Sequence, residues 1–242
     1  MKCVLTFLFC FVMTQVLCQN IKDYKNPPGT IKLNDSLFID VAPVDNLMYL
    51  EYFQNHERLS TKKMDIFLKN SKNYGINRKP FYPVIEDLDY FKFRVSNILN
   101  YSQHPKFQRY PAIEITKTEA ESYCEWRTKA VLLNYAIISK TAKDRMKYAK
   151  KLIYRLPTKD EFLKAVEVFG YLKKPVKGDD SIPFSPYRLR YKRKYKRSLF
   201  LKNNLSEYTI DSLPFGNNWR NKTTFKDPND YTGFRCVCEI IE

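Results

Sequence analysis

Histidine is almost missing from this chain, with only His56 and His104 in 242 residues. Neither stands at metal-ligand spacing from another candidate ligand, and no Ser-His-Asp set can be assembled from two histidines that lack a nucleophile motif. Imidazole-based metal centres and triad hydrolysis are therefore not expected. Long apolar runs are scarce too. The stretch from Val4 to Met13 falls short of the roughly 20 residues that a membrane-spanning helix needs, and no other segment could cross a bilayer. Cysteine is thin where it would matter. Of the six cysteines, Cys3, Cys10 and Cys18 lie at the N-terminal end, which leaves Cys124, Cys236 and Cys238 for the body of the chain.

What the N-terminus does contain is the pattern of a secretory leader. Lys2 supplies the positive end, Val4 to Met13 is almost wholly apolar, and Thr14 to Gln19 is a more polar exit. Cleavage after Cys18 would make Gln19 the first mature residue. The alternative is a lipoprotein acylated at Cys18, although Leu17 then occupies the place of a small residue. The expected plan is a signal peptide over residues 1–18, an arm over 19–29 containing Pro27-Pro28-Gly29, and one domain over 30–242 with a basic insert at 171–202. Such a chain is expected to be secreted, periplasmic or at the cell surface. Disulfides persist there, and three thiols allow one bridge and one leftover.

Charge is strongly one-sided. The formal net charge of +16 favours anionic partners, whether phosphate-bearing lipid or acidic glycan. An exported protein rarely meets nucleic acid, so no nucleic-acid partner is expected. Aromatic residues make up 15% of the chain, mostly Phe and Tyr, which is ample for a packed core.

Local patterns mark the elements. Thr30 to Leu33 and Leu37 to Val41 read as strands joined by the turn-forming Asn34-Asp35-Ser36. Pro43 ends the second, and Asp45 can cap a helix with Leu47, Met48 and Tyr52 on one face. Glu57 to Tyr110 is polar and irregular, with a short helix near Asp87 to Leu99. Thr116-Lys-Thr-Glu119 and Thr158-Lys-Asp-Glu161 are capping boxes. The first opens a helix with Ala120, Tyr123, Cys124 and Arg127 along one stripe, continuing or restarting through Val131 to Ala136. The second opens an amphipathic helix with Phe162, Ala165, Val166 and Phe169 at i, i+3, i+4 and i+7, stopped by Gly170. At the end, Phe234, Cys236, Cys238 and Ile240 alternate as a strand with one buried face.

The stretch from Arg188 to Arg197 carries seven basic residues in ten, namely Arg188, Arg190, Lys192, Arg193, Lys194, Lys196 and Arg197, interleaved with Tyr191 and Tyr195. One reading is a solvated loop. The other is a binding strip in which the cations pair with phosphate or carboxylate and the tyrosine rings stack on sugars.

Several short motifs occur in one order. They are Pro43-Val-Asp-Asn46 with Tyr49-Leu-Glu-Tyr-Phe53, Tyr123-Cys-Glu-Trp126, Arg155-Leu-Pro-Thr-Lys-Asp-Glu-Phe162, Asn203-Asn-Leu-Ser-Glu-Tyr-Thr209, Gly216-Asn-Asn-Trp219 and Gly233-Phe-Arg-Cys236. In that order they resemble the formylglycine-generating enzyme, or sulfatase-modifying factor, family. The resemblance implies an α+β, C-type-lectin-like fold with a twisted antiparallel sheet, two main helices and long loops. It also implies a disulfide between Cys124 and Cys236. That bridge closes a loop of over 100 residues, worth roughly 4 to 5 kcal/mol in the chain-entropy model. Cys238, two residues further on, is then a competing partner or a buried spare thiol.

True formylglycine generators hold copper on two cysteines between the motifs matched here by Trp219 and Gly233, because Cu(I) takes soft thiolates. Arg220 to Thr232 contains no cysteine. Relatives that use non-haem iron depend on histidines. The family's structural calcium would fall on Asn204 and Glu207, which are suitable oxygen ligands. Asn203, however, replaces a glycine and Phe200 stands where a ligating Asn is common, so the implied calcium site is degenerate. Glu207 read alone is a buried acid bonded to nearby backbone N–H groups. No other cofactor is expected.

The reading these residues support is a non-catalytic scaffold or binding component of a cell envelope, with an envelope protein or an acidic glycan as partner. Silent members of the family serve gliding-motility and protein-secretion machinery, and the resemblance extends to them. The alternatives are a divergent protein-modifying enzyme on the same fold, acting through Cys238, and a lectin-like glycan binder suggested by fold.

Overall fold

The computed structural model describes residues 24–60, 62–69, 74–75, 101–102, 105–172, 198–219 and 231–241. The expected signal peptide, the helix expected near Asp87 to Leu99, His104 and the basic strip from Arg188 to Arg197 lie outside the described residues.

Strands β1 (Thr30–Lys32) and β2 (Leu37–Asp40) form an antiparallel hairpin. Its turn is set by Asn34, whose Oδ1 accepts the backbone N–H groups of Ser36 at 3.0 Å and Leu37 at 2.8 Å. Helix α1 (Asn46–Leu59) starts where expected, because Asp45 Oδ1 accepts the Met48 N–H at 2.8 Å. Helix α2 (Lys62–Lys69) was not anticipated within the polar stretch after Glu57; its signal is the short spacing of Met64, Phe67 and Leu68. Helix α3 (Lys117–Ile138) runs unbroken through Val131 to Ala136 and presents the expected buried stripe of Ala120, Tyr123, Cys124 and Arg127. Both capping boxes form reciprocally, from Thr116 with Glu119 and from Thr158 with Glu161.

Between them lie the single-turn α4 (Ala142–Arg145) and β3 (Leu152–Arg155), followed by α5 (Lys159–Phe169). Gly170 ends α5 at φ +67°, a conformation that a residue without Cβ adopts at little cost. The chain finishes with the two-residue strands β4 (Ser206–Glu207) and β5 (Thr232–Gly233), paired in parallel, and with β6 (Val237–Ile240).

The main sheet has the order β1-β2-β6-β3, antiparallel throughout, so the C-terminal strand sits inside it. This corrects the expectation of a terminal strand with one buried face. Cys236 and Cys238 do share a face, packed under α3 with Phe38, Tyr123, Leu152 and Tyr154. Val237 on the opposite face is also fully buried, against α5 through Phe162 and Ala165. A strand flanked on both edges and covered on both faces has no solvent side until Glu239.

Helix α1 packs on α3 through aromatic contacts, with Tyr52 edge-on to Trp126 at 5.6 Å and to Tyr123 at 5.5 Å. The end of the N-terminal arm is tied to this body, since Lys25 N donates to Lys147 O at 3.0 Å and Pro27 O accepts from Thr30 Oγ1 at 2.8 Å. Among the described residues, no helix is long and apolar enough to cross a membrane.

Candidate functional site

Two buried guanidinium–carboxylate pairs lie at the centre of the fold. The first joins α3 to β2. Arg127 falls on the apolar stripe of α3, and its Nη1 and Nη2 each donate to Asp40, at the end of β2, at 2.7 Å. Nη2 also donates to Pro28 O at 3.0 Å, and the guanidinium lies 4.3 Å from the centre of the Tyr154 ring. Asp40 Oδ2 additionally accepts the Cys236 N–H at 2.8 Å, so helix, arm, edge hairpin and central strand meet at one carboxylate. Burial pulls the Arg127 pKa down, but the facing Asp40 carboxylate together with Tyr154, Tyr123 and Cys236 outweighs it and leaves the value well above that of an ordinary arginine.

The second pair joins the terminal motif to the Asn203–Thr209 segment. Arg235 Nε and Nη2 donate to Glu207 Oε2 and Oε1 at 2.6 and 2.7 Å, in the forked geometry that guanidinium and carboxylate share. Nη1 donates to Ser198 Oγ at 2.8 Å and Nη2 to Leu199 O at 3.2 Å. The guanidinium stacks 4.2 Å from the Phe200 ring. Ser198 links the pairs, since its Oγ also donates to Asp40 O at 2.7 Å. Glu207 is therefore buried, as expected for its metal-free reading, but its carboxylate is bonded to a guanidinium and not to backbone N–H groups.

Asn204 is buried and bridges in parallel to Asn218, while Glu207 exchanges backbone hydrogen bonds with Phe215 at 2.8 and 2.9 Å. The Asn203–Thr209 and Gly216–Trp219 motifs, separate in sequence, thus lie side by side. Next to them is a cleft of about 230 Å³ whose lining includes Leu163, Tyr171, Phe200, Lys202, Asn203, Glu207, Phe215 and Asn217. Asn203 holds φ at +54°, the left-handed region that Asn tolerates better than most residues, which is how it stands in for a glycine. The two ends of the basic insert meet at this cleft, where Leu172 N donates to Phe200 O at 2.8 Å.

The three thiols come together in the core. The pair that the resemblance joins as a disulfide is brought together, with Cys124 Sγ 3.2 Å from Cys236 Sγ, but both are free thiols here, and Cys238 follows on the same face. Burial, then the hydrogen bond with Cys236, raises the Cys124 pKa well above the ordinary thiol value. Burial pushes Cys238 up to about 12. His56 sits within α1, with Nδ1 3.0 Å from Phe53 O and its ring against Tyr52. Among the described residues, no three His, Cys, Asp or Glu side chains converge as a metal cluster would require.

Asp40, Arg127 and Arg235 escaped the sequence reading as partners. Arg127 on an otherwise apolar helical stripe was the available signal, because a charge at a core position demands an opposite charge. Nothing local points to Asp40, which lies 87 residues away in sequence.

An antiparallel sheet with α3 on one face and α5 on the other, short secondary elements and long connections is the C-type-lectin-like arrangement. The family model described as "Sulfatase-modifying factor enzyme 1-like domain" matches residues 10–209, and the chain belongs to that family. No curated protein and no solved structure matches the chain. The family match stops at Thr209. The terminal Gly233-Phe-Arg-Cys236 motif nevertheless leads directly into β6 of that sheet and joins the same ion-pair network.

Proposed function

We propose that this domain is an exported, non-catalytic scaffold or binding component of a cell envelope, of the kind found in gliding-motility or protein-secretion machinery. Its contact surface is the basic strip comprising Arg188, Arg190, Tyr191, Lys192, Arg193, Lys194, Tyr195, Lys196 and Arg197, and its partner is an envelope protein. The observation that carries this reading is the state of the thiols. Cys124, Cys236 and Cys238 are 2%, 0% and 0% exposed, and Arg220 to Thr232, where the family's copper ligands would fall, contains no cysteine. A thiol does nucleophilic or soft-metal chemistry as an accessible thiolate. Burial opposes both requirements, and this also weighs against an enzyme working through Cys238.

A glycan-binding reading draws on the cleft, where Tyr171 offers an exposed ring and Lys202, Asn203 and Asn217 offer polar groups. Glycan arrays run with and without calcium test it.

The scaffold reading is tested by crosslinking pull-down of the mature protein from its own envelope fraction, analysed by mass spectrometry. Stoichiometric envelope proteins that disappear when Lys192, Arg193, Lys194, Lys196 and Arg197 are all changed to Gln support it. Partner recovery unaffected by the five substitutions, or no stoichiometric partner at all, overturns it.

A further inference from the structure

We infer that Glu207 is committed to Arg235, with both carboxylate oxygens taken, and that this part of the fold is independent of the calcium that the family resemblance implies there. A calcium ion needs six to eight oxygen ligands, with carboxylates supplying most of the negative charge. Glu207 has both carboxylate oxygens directed at Arg235, at 2.6 and 2.7 Å. The guanidinium is held from behind by Phe200 at 4.2 Å, and the pair is fully desolvated, with Arg235 1% and Glu207 5% exposed. A divalent ion approaching Glu207 would meet a positive charge that has no exit to solvent. Phe200, which the resemblance places at a ligating Asn, supplies a ring face instead of an oxygen, and a ring face suits a guanidinium. Lys202 lines the same cleft and adds a further positive charge. The donor set fits an organic cation and does not fit a metal ion.

The pair has a structural consequence. Arg235 also binds Ser198 Oγ at 2.8 Å and Leu199 O at 3.2 Å, so it fastens the end of the basic insert to the terminal motif. The inference does not depend on what the insert binds.

The test compares thermal unfolding of the wild type and of Glu207→Gln, each in calcium and in EGTA, with terbium luminescence as a direct probe of an oxygen-ligated cation site. The expected result is no calcium-dependent shift in wild-type Tm and no saturable terbium emission. Glu207→Gln should lower Tm by about 10 °C to the same extent in both buffers, as loss of one partner of a buried pair implies. If Glu207 held calcium, the wild type would lose Tm in EGTA and the variant would match it there. That pattern, or saturable terbium binding abolished by Glu207→Gln, overturns the inference. Should the variant not fold, the wild-type comparison and the terbium titration decide alone.

Discussion

Truncating Arg127 to Ala isolates the charge on which the core depends most. The substitution removes two 2.7 Å bonds to Asp40, one 3.0 Å bond to Pro28 O and a guanidinium stacked on Tyr154, all at a site 8% exposed. Asp40 is left 3% exposed with a single donor, the Cys236 N–H. Removing one partner of a buried pair costs about 3–5 kcal/mol, chiefly because the other charge stays behind. At about 2–4 °C per kcal/mol for a domain of this size, Tm should fall by roughly 6–20 °C. Urea unfolding in reducing buffer, extrapolated linearly, gives the free energy independently. The double variant Arg127→Met with Asp40→Leu removes both charges. It should regain most of the loss, while the Cys236 N–H, now without its acceptor, still costs about 1–3 kcal/mol. A single variant within about 1 kcal/mol of wild type, or a double variant no better than the single, would refute the view that desolvated charge dominates this site.

Gly233→Ala should destabilise the fold by about 1–3 kcal/mol in the same urea assay, because a Cβ there meets Ala112 O and Leu205 Cδ2, each at 2.7 Å; an unchanged midpoint would mean that the β4–β5 contact yields freely. Glu161→Gln tests pH linkage. Although burial raises the Glu161 carboxyl, the Arg155 guanidinium and the hydrogen bonds with Thr158 together outweigh it and the net pKa lies below the reference 4.5. Its stabilising contribution is therefore full above that value and lost as pH falls through the lower folded value, so the Tm gap between wild type and variant should be constant near pH 7 and close in the acid range. A gap that persists below pH 3 would assign the effect to the capping box with Thr158 alone. In native reduced protein, maleimide should leave Cys124, Cys236 and Cys238 unlabelled until denaturant is added, and mass spectrometry of a Cys238 labelled in the native state would return thiol chemistry to consideration.

Legibility followed distance along the chain. Capping boxes, the Asn34 turn, the Asp45 cap and the stop at Gly170 are all decided within four residues, and each appears in the structure where the local chemistry puts it. The terminal strand was legible as a strand, but its place was not. Alternation of Phe234, Cys236 and Cys238 signals one buried face, whereas central position in the sheet depends on β2 and β3, far away in sequence. Helix α2 was missed because eight residues with four charged side chains among them give too short a period against a polar background. Glu207 was read correctly as buried, yet its partner Arg235 is 28 residues off, beyond any periodic signal.

These long-range pairs also explain how a chain without the family's copper ligands can keep the family's fold. Asp40 and Glu207 are linked through Ser198, and between them Arg127 and Arg235 tie α3, β2, the arm, the end of the basic insert and the terminal motif into one desolvated network. Removing the copper thiolates from the segment between Trp219 and Gly233 leaves every member of that network in place, because none lies in the segment. The three remaining thiols sit in the apolar layer beneath α3, where Cys236 shares its backbone N–H with Asp40 and its side chain with Cys124. Substitutions at Arg127 or Arg235 therefore act on folding, whereas the binding role proposed for Arg188 to Arg197 is read in what the protein binds.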